Sequence, residues 1–224
     1  MRDFILFLVV LTATGAAGLT AQVSGAVKVV GQGDRAPATV VVYAEPLDHP
    51  SPSKLGRFKL AQREKSFQPR VLAVPVGSTI DFPNLDPIFH NVFSLSRPGS
   101  FDLGLYRAGA SKSRVFAQPS QYRVFCNIHP QMMAIILVLP TPYFTQRDGA
   151  GTFRLDVPPG RYRVTAWSDR ASPATTEITV TEGNSALPDF TLDESKYVEL
   201  PHKNKFGHEY PKAAYDPTKD ATPR

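Results

Sequence analysis

The chain is 224 residues long, with 25 Lys and Arg against 20 Asp and Glu, a formal net charge of +5 and a single cysteine. One cysteine excludes an intramolecular disulfide, so the thiol must pair with another chain, stay reactive, bind something or lie buried and inert. Proline (21) and glycine (15) are frequent, and no long stretch repeats apolar residues at helical spacing, which points away from helices.

Residues 1–21 read as a signal peptide. Arg2 supplies a short positive start, residues 4–11 an apolar core, and small residues lead to Leu19-Thr20-Ala21, which suits cleavage before Gln22. The apolar run is too short to span a bilayer comfortably, and an uncleaved N-terminal anchor is the alternative. No other segment approaches spanning length. The mature chain is therefore expected to be exported to a bacterial periplasm and to carry no transmembrane segment. Its roughly 200 residues suit one large domain or two small ones.

Residues 23–30 and 39–43 read as strands joined by a polar turn, and residues 45–55, rich in proline and serine, form a boundary. Strands then come densely, at 71–76, 79–82, 91–95, 113–117, 121–126 and 134–139. The last of these is apolar on both faces, as a central strand would be. A further set runs from 151 to 192. Within it, Tyr162, Val164 and Ala166 share one face of a strand at 161–167, and another strand covers 175–180. Val157-Pro158-Pro159-Gly160 and Asp148-Gly149 supply turns. The tail after Asp193 mixes charges, prolines and tyrosines, so it is expected to be extended or partly disordered. The fold class is all-β, built of β-sandwiches.

The chemistry concentrates in Cys126-Asn127-Ile128-His129-Pro130-Gln131-Met132. This stretch holds the lone cysteine, and Met132 and Met133 are the only methionines besides Met1. A thiol, an imidazole and a thioether within seven residues form the ligand set that soft, one-electron copper prefers. A trigonal blue-copper site needs one more histidine, and Phe89-His90-Asn91-Val92-Phe93 supplies a candidate.

Phe67-Gln68-Pro69, Val76-Gly77, Phe82-Pro83-Asn84-Leu85-Asp86, His90-Asn91-Val92 and Cys126-x-x-His129-x-x-Met132 together resemble a cupredoxin over roughly residues 58–140. The Cys-x-x-His-Pro-x-Met loop is similar to that of amicyanin and shorter before the methionine than that of plastocyanin. The whole chain resembles exported cupredoxin-containing proteins of the methylamine-utilisation type. The flanks resemble something else. Val23-Ser24-Gly25-Ala26-Val27 with Val40-Val41-Val42-Tyr43, and Asp148 to Phe153 with Pro158-Pro159-Gly160-Arg161-Tyr162, look like a carboxypeptidase-regulatory-like, transthyretin-type sandwich. A Greek-key cupredoxin sandwich at 54–140 is thus expected inside a split sandwich at 22–48 and 141–192, with a charged tail at 193–224. Two sandwiches in series are the alternative arrangement.

The resemblance implies one type 1 copper ion held by His90, Cys126 and His129, with Met132 as a weak axial ligand. It also implies that Asn91 ties the two ligand segments together. Pro130 removes a backbone N–H beside the thiolate. Phe89, Phe93 and Phe125 are expected to keep water off the site, and Met133 to point elsewhere. His49 is read as solvated, His202 and His208 as residues of the charged tail with a weak secondary metal site as the lesser alternative, and Trp167 as packing on a sandwich.

Between residues 54 and 140, eleven basic side chains against four acidic ones leave +7, more than the whole chain carries. That surface suits an acidic redox partner, such as a c-type cytochrome or a dehydrogenase, or an anionic membrane. Nucleic acid is not an expected partner. Single-electron transfer ranks first, copper storage, delivery or sensing second, a structural or adhesion module third, and an enzyme last. A copper oxidase or nitrite reductase needs further histidine clusters, and the chain has five histidines in all.

Overall fold

The computed structural model describes residues 20–199 and 201–210, so all but the last two residues of the expected signal peptide lie outside the described residues. Two strands open the chain, β1 (Ala21–Val30) and β2 (Val41–Pro46). Ten follow: β3 (Arg57–Lys59), β4 (Ala61–Arg63), β5 (Ser66–Gln68), β6 (Val71–Pro75), β7 (Thr79–Pro83), β8 (His90–Ser94), β9 (Phe101–Tyr106), β10 (Ser111–Val115), β11 (Ser120–Phe125) and β12 (Met133–Leu139). The last six are β13 (Phe144–Gln146), β14 (Thr152–Val157), β15 (Gly160–Ser168), β16 (Ala171–Val180), β17 (Asn184–Ala186) and β18 (Phe190–Asp193). The protein is all-β. Among the described residues no helix is long and apolar enough to cross a membrane.

The sheets divide by position in the chain. One runs β14-β1-β17, with β18 also pairing β1, and another runs β13-β2-β15-β16, so the first two strands share sheets only with the last six. The alternation of β14, in which Phe153, Leu155 and Val157 are buried and their neighbours exposed, gives its sheet one wet face at this strand. The inner faces of the two sheets meet over Val23, Val42, Val164, Tyr162 and Leu192. The middle strands form sheets of their own, β6-β12-β11-β8-β9 and β10-β7-β3, with the small β4-β5 hairpin beside them. Their core holds Phe82, Val92, Phe116, Val124 and Ile136, and it includes Cys126 and Met132.

β12 explains how the two sandwiches meet. It lies between β6 and β11, and every residue after Met133 is buried. Ala134, Ile136 and Val138 face the middle core. The intervening Ile135, Leu137 and Leu139 join Val71, Ala73, Val41 and Trp167 in a separate cluster that links the sandwiches. A strand whose two faces both lose water needs apolar residues at both parities, which is the pattern its sequence shows. Trp167, 6% exposed, packs here, and Met133 lies against the same cluster. β9 was not expected from the sequence, because Asp102 and Gly104 interrupt its alternation; it pairs with β8 across a register shift.

Trp167→Ala should destabilise the protein by about 3–5 kcal/mol, the usual cost of emptying a buried aromatic site. Urea unfolding should show a lower midpoint with an unchanged slope, since the two cores stay intact.

Candidate metal centre

Two segments bring the site together. His90 opens β8, and Cys126 follows β11 directly at the start of the loop that returns the chain to β12. Phe125 pairs with Met133, so the loop is closed by neighbours across the strands. Within it Cys126 N–H donates to the Met132 carbonyl at 3.3 Å, and Met132 N–H to the His129 carbonyl at 3.0 Å. Cys126 Sγ lies 3.9 Å from His90 Nδ1 and 3.6 Å from His129 Nδ1. The three donor atoms are all within 4.8 Å of one another.

These separations fit one transition-metal ion. Bonds of about 2.0–2.1 Å to imidazole and about 2.3 Å to thiolate, set in one plane, part nitrogen from sulfur by roughly 3.8 Å. The two observed N–S separations bracket that value. Cys126, His90 and Met132 are fully buried, and His129 is half-buried at the loop tip. The ring centroids of His90 and His129 are 4.7 Å apart.

The orientation of His90 comes from Asp86, whose Oδ2 lies 2.7 Å from Nε2. A carboxylate accepts, so Nε2 carries the proton and Nδ1 presents its lone pair toward Cys126. Asp86 is itself held by the N–H groups of Glu64 (2.6 Å) and Lys65 (2.9 Å). Both of those residues have φ of 52°, in the left-handed region, at the two-residue turn between β4 and β5. Non-glycine residues there cost about 1 kcal/mol each, and charge-assisted bonds from both amides offset this. Burial opposes the charge on Asp86, yet the amides of Lys65 and Glu64 and the His90 ring hold its carboxyl below the ordinary range. Asn84 shapes the same loop, accepting from Asp86 N–H at 3.1 Å and donating to the Ile88 carbonyl at 2.7 Å. In the sequence Asp86 stands within the Phe82–Asp86 motif with no role of its own apparent. Its spacing four residues before His90 was the available signal.

Asn91 links the ligand segments through its backbone. Its N–H points at the Cys126 sulfur, as do those of Ile128 and His129. The Asn91 side chain instead donates to Asp102 Oδ1 at 2.7 Å. Burial raises the Cys126 thiol above its usual value, against the pull of those three amides. A cation bound at the donors would deprotonate it.

Phe93 and Phe125 are buried with centroids 5.8 Å apart, as a water-excluding role requires. Phe89 differs: it is 54% exposed, because the β pleat turns His90 inward and its predecessor outward. His49 is not simply solvated either; it bonds Asp48 at 2.7 Å and meets Tyr162 edge-on. The described tail residues, 201–210, lie along the ligand loop, and His202 bonds to the Pro130 carbonyl at 2.6 Å. Nothing in the sequence pattern announced that docking.

No family model matches the chain, and no curated protein matches it. Solved structures similar to part of it include a copper-containing nitrite reductase from Thermus scotoductus SA-01. That one is 26% identical, with a TM-score of 0.36, over 42% of this chain and 25% of that one. A purple cupredoxin from Nitrosopumilus maritimus is 26% identical, with a TM-score of 0.31, over 34% of this chain and 84% of that one. An amicyanin variant in its Cu(I) form is 20% identical, with a TM-score of 0.36, over 43% of this chain and 99% of that one. The chain thus spans a quarter of the nitrite reductase and nearly all of the amicyanin.

Asp86→Ala should lower stability by about 1–3 kcal/mol, since two left-handed amides and the His90 N–H lose their acceptor together. Asp86→Asn should fall between that variant and the parent, because one amide oxygen accepts where two carboxylate oxygens did. Urea unfolding of the metal-free protein measures both.

Proposed function

We propose that the chain is an exported, periplasmic type 1 (blue) copper protein of the cupredoxin kind, carrying single electrons between redox partners. The observation that carries this reading is the convergence of a buried thiol with two imidazole Nδ1 atoms at N–S separations of 3.6 and 3.9 Å. His90, Cys126 and His129 would hold the ion, with buried Met132 as a weak axial thioether. That donor set suits copper over zinc, which seldom takes a thioether. Copper bound there would supply the one-electron chemistry.

The protein's part is to keep the donors where both oxidation states accept them. Asp86 fixes the His90 tautomer, three backbone N–H groups surround the sulfur, and Phe93 and Phe125 exclude water. Copper storage, delivery or sensing is the alternative reading. Full burial of Cys126 and His90 weighs against it, because a site that hands over its metal needs an open path to the donors.

We also read residues 54–140 as the metal-carrying sandwich, inserted into a transthyretin-type sandwich made from 22–48 and 141–192. The partner would be a redox protein with an acidic face, such as a c-type cytochrome or a dehydrogenase. Exposed Phe89 and Ile128, each beside a ligand in sequence, offer it an apolar contact. Arg63, beside the turn that holds Asp86, and Lys65, within it, contribute to the basic surface. We read the protein as a carrier and not as an enzyme.

The visible spectrum after addition of copper(II) tests the reading. An intense thiolate-to-copper band that bleaches reversibly with reductant is expected, and Cys126→Ser should abolish it while the protein stays folded. Tight copper(I) binding without that band would favour storage or delivery.

The adjacent methionines separate next. Met132 is buried in the same core as Cys126, whereas Met133 lies against the cluster around Trp167. Met132→Leu should keep the blue band and raise the reduction potential, because a weak donor favouring copper(II) is lost. Met133→Leu, a volume-conserving swap, should change neither. Redox titration decides it, and a large shift in the Met133 variant alone would move the axial assignment by one residue.

A further inference from the structure

The tail reaches both ligand-bearing segments at once. On the side of Cys126, Tyr210 Oη donates to the Cys126 carbonyl at 2.8 Å, and the backbone N–H of Lys205 donates to Asn127 Oδ1 at 3.0 Å. His202 Nε2–H donates to the Pro130 carbonyl at 2.6 Å, and its ring lies on Phe125 with centroids 4.1 Å apart at 30°. Tyr210 closes the group, its hydroxyl 3.3 Å from His202 Nδ1 and its ring edge-on to the imidazole. On the side of His90, Lys205 Nζ donates to Asp102 Oδ2 at 2.6 Å. The other Asp102 oxygen accepts from Asn91, the neighbour of His90. Asn91 N–H in turn points at the Cys126 sulfur. Residues 201–210 therefore complete a ring of bonds that starts at Cys126, passes through the tail and Asp102, and returns to the sulfur.

The tail is built for this position. It leaves β18 beside β1, and Glu194 N–H donates to the Val30 carbonyl at 2.9 Å, which anchors the departure. Asn204 folds the segment into a tight turn by accepting from Phe206 N–H (2.9 Å) and His208 N–H (3.1 Å) on its side chain. That turn faces the side chain of Lys205 toward Asp102. Two of the three hydrogen bonds to the loop fall on carbonyls of Cys126 and Pro130, which the short loop leaves without a strand partner.

From these contacts we propose that residues 201–210 are a positioning strap: His202, Lys205 and Tyr210 hold the Cys126–Met132 loop against the β8–β9 segment and so fix the separation of the metal donors. This rests on the metal-site reading for its consequence, but the strap itself is a property of the metal-free chain. His202, Lys205 and Tyr210 are positioning residues. None of them supplies a donor to the ion.

The test uses the full chain with Tyr210→Phe, Lys205→Met and the double variant, and Lys203→Ala as control. Lys203 lies in the same segment, and its side chain faces exposed Glu209, at 3.9 Å. The first readout is amide hydrogen exchange of the metal-free protein at Cys126 and Met132. Losing one net hydrogen bond should speed exchange about fivefold in each single variant, and more in the double variant, with the control unchanged. Exchange in β1 and β15 should match the parent. The second readout is the copper spectrum, where the double variant should show an altered ratio of thiolate bands and lose copper to a chelator faster than the parent. Unchanged exchange at the loop in the double variant would overturn the strap, and so would equal acceleration throughout β1 and β15. A parent protein that never develops the thiolate band would remove the copper reading while the exchange result still decides the strap.

Discussion

The candidate metal site depends on how one carboxylate is held. A histidine can turn either nitrogen toward a site, and the wrong choice removes a donor without moving the backbone. Asp86 makes the choice for His90 by taking Nε2–H, which leaves Nδ1 for Cys126. It can stay charged in a buried place only because two backbone amides also point at it. Those amides are available because Glu64 and Lys65 adopt left-handed conformations at the tip of a hairpin whose strands are three residues long. Turn, carboxylate and imidazole are therefore one unit. The anion it encloses is one reason for the strained turn to persist.

The other half of the site follows from loop closure. β11 and β12 pair up to Phe125 and Met133, which leaves seven residues to reverse direction. Cys126 and Met132 stand at the two feet of this loop, joined by the Cys126 N–H to Met132 carbonyl bond, so both side chains continue into the core below. His129 stands at the tip and reaches back to the sulfur. A thiol at the foot of a core strand is buried before any metal arrives, and that burial raises its pKa. A soft cation bound there would offset that penalty by compensating the thiolate charge as the proton leaves. The same geometry that makes the cysteine a poor free nucleophile makes it a good ligand.

What could be read from the sequence was what no alternative use of the residues explains. A single cysteine three positions before a histidine and six before a methionine has few other meanings, and the two-sided apolar run at 134–139 could only be a strand covered on both faces. Other features stayed hidden because their residue types are ordinary where they occur. Asp86 lies between Leu85 and Pro87, where an aspartate reads as a turn former. Phe89 reads as a shield until the pleat direction of β8 is known. The segment 201–210 carries charges and a proline, which suggest a solvated tail; its order comes from partners more than 70 residues away, such as Pro130 and Cys126. Long-range contacts of this kind leave no periodicity behind.

The arrangement of the second sandwich gives the tail its reach. The chain leaves that sandwich at the end of β2 and re-enters it at β13, and these two strands are paired, Tyr43 opposite Phe144. Exit and entry thus lie side by side, so the middle strands are tethered at two adjacent points and rest on the cluster around Trp167. Two tethers and a packed contact leave little freedom between the sandwiches. β18 then adds to β1 in parallel and releases the tail from a fixed origin. A segment starting from a fixed point has a short loop to close, and loop entropy rises only slowly with length. Few bonds are then enough to keep it on the ligand loop. Without the second sandwich the same ten residues would have no fixed origin near the loop, and docking them would carry a larger search entropy in addition to their ordering. The distant sandwich therefore bears on the candidate site: it supplies none of the donor atoms, but it fixes where the strap begins.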